Sequence, residues 1–275
     1  MSKPVKEQTI LITGATDGIG KLTALKLAEQ NARLILHGRN PEKLDKVINE
    51  ISSDSGNNNI NSIVADFSSL EEVKQMAEKV LNDYLKLDVL INNAGAGFSD
   101  PRYSKDGYEL RLQVNYLAPF LLTQKLLPLL KNASPSRIVN VSSAGQYKVN
   151  FDDIMLEKSF NTATAYSQSK LALIMYTFEL AEKLKDENVA VNALHPGTYL
   201  DTNMVRNSGI TPWGEPETGA DAVSYLAVSG SLDGITGKYF NVKKESRPDG
   251  QAYDEKARER LWDMTLKLIK MNQEV

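Results

Sequence analysis

The sequence predicts an α/β fold: a doubly wound, mostly parallel seven-stranded sheet with helices on both faces, formed by one domain spanning 1–275. Three observations predict it. Short β-branched, apolar runs alternate with longer segments of helical period, the signature of repeated βαβ units. Several of these runs are apolar throughout, as strands buried on both faces are. A glycine-rich turn joins the first run directly to the first helical segment, at the strand end where open parallel sheets bind ligands. Open α/β sheets extend to roughly 250 residues as one unit, and the chain shows neither an internal repeat nor a linker.

In chain order, strands are expected at Thr9–Thr13, Arg33–His37, Ser62–Asp66, Asp88–Asn92, Arg137–Ser142, Val189–His195 and Lys238–Val242. The helical segments between and after them are Ile19–Gln30, Pro41–Ile51, Leu70–Leu81, Tyr108–Leu130, Ala165–Lys185, Glu217–Val228 and Asp254–Met271. In the first helix Leu22, Leu25 and Ala28 recur at helical spacing and are expected against the sheet. The polar, asparagine-rich run Ser52–Asn61 reads as an exposed loop. Ala144–Thr164 and Pro196–Pro216 are irregular, and both follow a strand's carboxyl end, so they are candidate substrate lids.

Composition narrows the chemistry. Cysteine is absent and His37 and His195 are the two histidines, which excludes a disulfide scaffold, a thiolate nucleophile, an iron–sulfur cluster, a thiolate zinc site and a His-rich metal centre. Catalysis is left to hydroxyls, amines, amides and carboxylates. With 32 basic and 35 acidic residues and a net charge of −3, the chain has no electrostatic footprint for nucleic acid or an anionic membrane. No signal-peptide pattern opens the chain, and no run approaches the roughly 20 apolar residues that span a bilayer. A soluble, cytoplasmic protein without a membrane anchor is expected.

Two motifs carry chemistry. In Thr13-Gly14-Ala15-Thr16-Asp17-Gly18-Ile19-Gly20 the glycines allow the backbone close approach to a pyrophosphate, while the new helix's free N–H groups and positive end face the phosphates. In Tyr166-Ser167-Gln168-Ser169-Lys170 a phenol and an amine lie at i and i+4 on one helix face. A nearby ammonium favours phenolate and brings a phenol's pKa down from near 10 towards working range.

The G-x-x-x-G-x-G spacing of the turn, with Tyr166-x-x-x-Lys170, Asn92-Asn93-Ala94-Gly95 and the run Arg137 to Gly145, resembles the short-chain dehydrogenase/reductase family. The resemblance spans nearly the whole chain. It implies a Rossmann fold and an oxidoreductase that interconverts an alcohol and an aldehyde or ketone with a nicotinamide cofactor. The residues implied for catalysis are Asn115, Ser143, Tyr166 and Lys170: Tyr166 as acid and base, Ser143 polarising the carbonyl, Lys170 tuning the phenol and holding the ribose, and Asn115 holding a water in a proton relay. Ser142 is adjacent to Ser143 and competes with it.

For the cofactor, the resemblance implies Gly14, Thr16, Asp17, Gly18, Ile19 and Gly20 at the pyrophosphate, Asp66 and Phe67 at the adenine, and Asn93, Ala94 and Gly95 beside the adenosine. Asp66 is equally suited to cap a helix. Pro196 and Gly197 follow with the nicotinamide, as does Thr198 or Thr202, the choice between these two being open. The second strand ends in His37-Gly38-Arg39-Asn40 with no acidic residue for a ribose 2′-hydroxyl, and an arginine there suits a 2′-phosphate, so NADP(H) is expected over NAD(H). Asp17 departs from the basic residue that NADP-preferring relatives often carry at that place.

Ser143 and Tyr166 are 23 positions apart, so Gln146–Thr164 contains an insertion. With Gly237-Lys238-Tyr239-Phe240 it resembles the retinol-dehydrogenase and WW-domain-oxidoreductase-like branch. An apolar carbonyl or alcohol substrate is expected, with Phe98, Tyr147, Met204, Ile210 and Trp213 around it, and a homodimer through the two long helices is an option. The competing reading is a catalytically silent NADP(H)-sensing regulator on the same fold.

Overall fold

A computed structural model describes residues 3–98 and 100–271; the ends of the expected 1–275 domain lie outside the described residues. Its strands are β1 (Thr9–Ile12), β2 (Arg33–Gly38), β3 (Ile60–Val64), β4 (Val89–Asn92), β5 (Ser136–Val141), β6 (Val189–His195), β7 (Lys238–Asn241) and β8 (Lys244–Ser246). They form one sheet in the order β3-β2-β1-β4-β5-β6-β7-β8. All neighbours are parallel except β7 and β8. The sheet therefore has eight strands where the sequence predicts seven. The additional strand, Lys-Glu-Ser, is short and mostly exposed, so it carries no apolar alternation by which a strand is read.

The helices are α1 (Gly18–Ala28), α2 (Pro41–Ser55), α3 (Leu70–Asp83), α4 (Leu110–Leu112), α5 (Ala118–Ala133), α6 (Thr162–Lys183), α7 (Asn203–Asn207), α8 (Pro216–Val228) and α9 (Glu255–Leu268). The predicted helix Tyr108–Leu130 corresponds to α4, a π-helical turn at Gln113–Leu117, and α5. α3, α5, α6 and α9 cover one face of the sheet, and α1, α2 and α8 cover the other. Strands enclosed this way bury every residue of β1 and β4.

Two further expectations need correction. In α1 the fully buried face is Thr23, Ala24, Leu27 and Ala28, with Leu22 and Leu25 half-buried, because α1 packs against α8 as well as the sheet. Ser52–Asn61 is not a free loop: α2 runs to Ser55, Gly56 caps it at φ 72°, and β3 begins at Ile60. Within it Asn57 is buried, its amide donating to the Ala28 and Ala32 carbonyls at 3.2 and 2.8 Å. A polar residue is stable there because it satisfies backbone acceptors at the end of α1.

The C-terminal helix α9 lies against α6 and closes an aromatic cluster. The Trp262 ring is 4.9 Å from Phe120 and 5.9 Å from Tyr176, and all three are buried. Removing a buried aromatic of this size costs about 3–5 kcal/mol. Trp262→Ala is therefore expected to lower the unfolding free energy by that amount, read as a lower urea midpoint at unchanged m-value, and a loss below about 1 kcal/mol would show that α9 does not belong to the core.

Candidate active site

The strand order changes direction between β1 and β4, each leading into a different half of the sheet. At the carboxyl ends of these strands opens a cleft of about 760 Å³, where a switch point places ligands. The cleft is lined by Gly14, Thr16, Asp17, Gly18, Ile19 and Gly20 of the turn, Arg39 and Asn40 after β2, Asp66 and Phe67 after β3, and Asn93 to Gly95 after β4. Tyr166, Lys170, Pro196 and Thr202 complete it. A smaller cavity of 310 Å³ lies elsewhere, among Lys3, Asp88 and Arg137, and contains none of the expected catalytic or cofactor-binding residues.

The glycines of the turn are required by space and backbone. Gly14 has φ 66°, and a Cβ on it would sit 2.8 Å from the Ala94 Cα. A Cβ on Gly20 would collide with the Gly14 carbonyl. Asn93 fixes the turn by donating its amide to the Thr13 and Gly14 carbonyls at 2.9 and 3.0 Å, while the Thr13 hydroxyl accepts from the Asn93 and Ala94 N–H groups. The cradle left for a pyrophosphate is thus empty of side chains by construction, and the residues present fit a dinucleotide.

Asn40 caps α2 by accepting from the Lys43 N–H at 2.9 Å, leaving the exposed Arg39 beside that helix start. Asp66 does not cap α3; Ser69 does. Burial opposes the Asp66 charge, but the Ser68 N–H and the Lys105 ammonium, 3.0 Å away, outweigh it and hold the carboxyl below its ordinary value. Phe67 is buried with its ring stacked 4.4 Å from His37. Asp17 accepts from Gly18 N–H and from the Asn203 amide of α7.

Around Tyr166 the two serines separate. The Ser142 hydroxyl is buried and donates to the Lys170 carbonyl at 2.8 Å, whereas the Ser143 hydroxyl hydrogen-bonds the Tyr166 phenol. Tyr239 and Gln146 both donate to the Ser143 carbonyl at 3.0 Å. Asn115 sits in the π turn, accepting from Ala96 N–H at 2.7 Å and donating to Ser169 Oγ at 2.9 Å. Such turns widen a helix locally and recur at functional sites. Thr198 is exposed and bonds to His195 Nε2 at 3.0 Å, whereas Thr202 lines the cleft with its methyl over Gly18. Gly197, immediately before Thr198, has φ 142°.

The electrostatics depart from expectation. Burial raises the Tyr166 pKa, the Ser143 hydrogen bond only partly opposing it. The Lys170 ammonium is 5.7 Å from the phenol ring centroid and donates to the Val141 carbonyl at 2.9 Å, and desolvation brings its own pKa to about 8. An ammonium that is itself desolvated does not draw the phenol down here.

Sequence reasoning missed Arg111 and Glu109. Both are buried and ion-paired at 2.9 Å, and Arg111 also donates to the carbonyls of Gly97, Asp100 and Pro101. This holds the strand-to-helix segment that brings Phe98 to 4.7 Å from the Tyr166 ring. The available signal was a charged residue between Leu110 and Leu112. Of the expected pocket residues, Met204 lies over Gly95 and Gly97, while Trp213 is 75% exposed and pairs with Tyr199. Among the described residues no cluster of His, Asp and Glu is arranged to hold a metal, and no helix is long and apolar enough to cross a membrane.

Because Lys170 is protonated in the unfolded chain up to pH 10.5 but loses its proton near 8 when folded, its burial costs stability below pH 8. The cost, roughly 3 kcal/mol at most, fades between pH 8 and 10.5. Lys170→Met is expected to unfold at a higher temperature than the parent protein at pH 7, the difference vanishing by pH 10.5. A destabilised variant at pH 7 would contradict this.

Comparison with known proteins identifies the arrangement. Residues 8–212 match the family model described as short chain dehydrogenase. The chain is 38% identical to human retinol dehydrogenase 13, over 95% of this chain and 84% of that protein. An uncharacterized protein from Mycobacterium paratuberculosis superposes with a TM-score of 0.79 at 27% identity, covering 100% of both chains. A protein from Escherichia coli CFT073, described as a short chain dehydrogenase and solved with NADPH, superposes at 0.71 and 29% identity, over 86% of this chain and 97% of that one. The chain belongs to the short-chain dehydrogenase family, in its retinol-dehydrogenase-like branch, and is an oxidoreductase of carbonyls and alcohols.

Proposed function

We propose that the protein is an NADP(H)-dependent reductase of an apolar aldehyde or ketone, reversible as an alcohol dehydrogenase, with Tyr166 as the proton donor. The observation that carries this reading is that Tyr166 and Lys170 line the glycine-turn cleft together, with the Ser143 hydroxyl on the Tyr166 phenol. Bound NADPH supplies the hydride. The Ser143 hydroxyl donates a hydrogen bond to the carbonyl oxygen as negative charge develops on it. Tyr166 transfers its phenolic proton to that oxygen, completing the alcohol. A pKa raised by burial keeps this phenol protonated at neutral pH, as the reductive direction needs. Lys170 holds the ribose, and Asn115, fixed between Ala96 and Ser169, holds the water through which Tyr166 regains its proton.

Arg39 supports the choice of cofactor: it stands at the end of β2 on the cleft wall with no carboxylate beside it in the His37-Gly38-Arg39-Asn40 run, and a structural neighbour was solved with NADPH. The segments 144–164 and 196–216 serve as lids; α7 lies in the second, tied to the turn by the Asn203 to Asp17 hydrogen bond. Phe98 supplies apolar surface beside the phenol, and Met204 supplies it over Gly95 and Gly97. A homodimer through α5 and α6 would have to accommodate α9, which already lies on α6.

Tyr166→Phe is expected to lower kcat by about 10²–10⁴ across a panel of aldehydes and ketones while retaining NADPH binding. A parent protein that binds NADPH tightly and turns over nothing would instead be a sensor. Arg39→Asp should weaken NADPH relative to NADH by about tenfold or more, the worth of one charge-assisted hydrogen bond. An unchanged ratio would remove Arg39 from the specificity argument.

A further inference from the structure

We infer that His37, which takes no part in the proton transfer, is the residue that positions the dinucleotide cradle. Three successive amides leave β1, and their acceptors are unequal. Thr13 N–H donates to the Ile91 carbonyl of β4. The next two go to one residue of β2: Gly14 N–H donates to His37 Nδ1 at 3.1 Å, and Ala15 N–H to the His37 carbonyl at 2.8 Å. On its far side the ring donates from Nε2 to the Ala65 carbonyl at 2.9 Å and stacks on Phe67 at 4.4 Å. One buried side chain thus ties the glycine turn to the segment after β3, the two walls between which the adenosine half of the cofactor is proposed to lie.

The chemistry admits few substitutes. The ring must accept at Nδ1 and donate at Nε2, which fixes a neutral imidazole in a single tautomer. Asparagine and glutamine carry an acceptor and a donor on one amide carbon and cannot span from Gly14 to Ala65. Without Nδ1 the Gly14 N–H loses its acceptor, and the turn is free to tilt away from the phosphates. The ring faces Gly14, Ala65 and Phe67; Asp66, beyond Ala65, is the charged group whose field it feels. The first amides of α1, which have no intrahelical partner, are then held at a fixed height over the cleft.

This inference rests on the proposed use of a nicotinamide dinucleotide, and its test separates the two. NADPH and NADH affinities are measured by fluorescence titration for the parent protein, His37→Ala and His37→Gln, together with KM and kcat for NADPH and for a reducible aldehyde, and thermal stability. The nitrogen shifts of the His37 ring are read by NMR in the parent protein. Both variants are expected to weaken NADPH and NADH alike, by about tenfold or more, with the KM for the aldehyde unchanged, and the ring is expected as the Nε2–H tautomer. Folded variants that bind NADPH as the parent does, or an Nδ1–H ring, would overturn the inference. So would equal losses in cofactor and aldehyde KM, which mark a general structural defect. If His37→Ala does not fold, His37→Gln and the tautomer measurement decide. A parent protein that binds neither nucleotide would overturn the cofactor reading, while the ring tautomer would still test the clamp.

Discussion

The structure depends on how the chain leaves β1. A parallel sheet ends each strand with backbone groups that have no continuing partner, and at the switch between β1 and β4 these groups line an open cleft instead of a covered edge. Here they are satisfied from both sides. Asn93 and the Thr13 hydroxyl bind the turn to β4, His37 binds it to β2, and the bare faces of Gly14 and Gly20 let the two approaches coexist. A cradle for phosphate results because the side chains that would fill it are excluded sterically, while the amides that would collapse it are already engaged.

The second determinant is the height of α6 over the sheet. A buried polar chain sets it: Asn92 donates to Thr123 of α5 and to Asn140 of β5, and Asn140 donates to Thr177 of α6. Ser142 and Lys170 add reciprocal bonds between the end of β5 and α6. Buried polar groups bonded to one another in this way specify one arrangement where apolar packing alone would allow sliding. Tyr166 is held against Ser143 by this framework, and the cost is a buried ammonium. The lowered pKa of Lys170 and the raised pKa of the Tyr166 phenol are therefore two consequences of the same burial.

The irregular segments are tied down by contacts distant in sequence. Val149 and Gln251 exchange backbone and side-chain bonds, Gln146 accepts from Asp249, and Arg102 donates to the Leu156 carbonyl. The insertion before α6 thereby rests on the segments after β8 and β4. Arg111 performs the same service for the strand-to-helix connection carrying Phe98. Loops of this length stay ordered only where such bonds offset the entropy of fixing them.

Much of this was legible in residues 9–242. Period and apolarity gave the seven main strands and their mostly parallel pairing, because those signals are local to each element. The glycine spacing and Tyr166-x-x-x-Lys170 located the cleft and two side chains of its wall, because turn chemistry and helical spacing are local too. What the sequence left open was decided by contacts across the sheet. Ser142 and Ser143 are indistinguishable along the chain, yet strand alternation sends one hydroxyl to α6 and the other to the phenol. Thr198 and Thr202 part in the same way, one taken by His195 and the other turned to the cleft. Burial, which no single position reveals, reversed the expected shift of the Tyr166 phenol and set the pKa of Lys170 near 8. His37 and Arg111 gave no motif at all: their roles exist only where backbone groups from elsewhere in the chain meet one side chain.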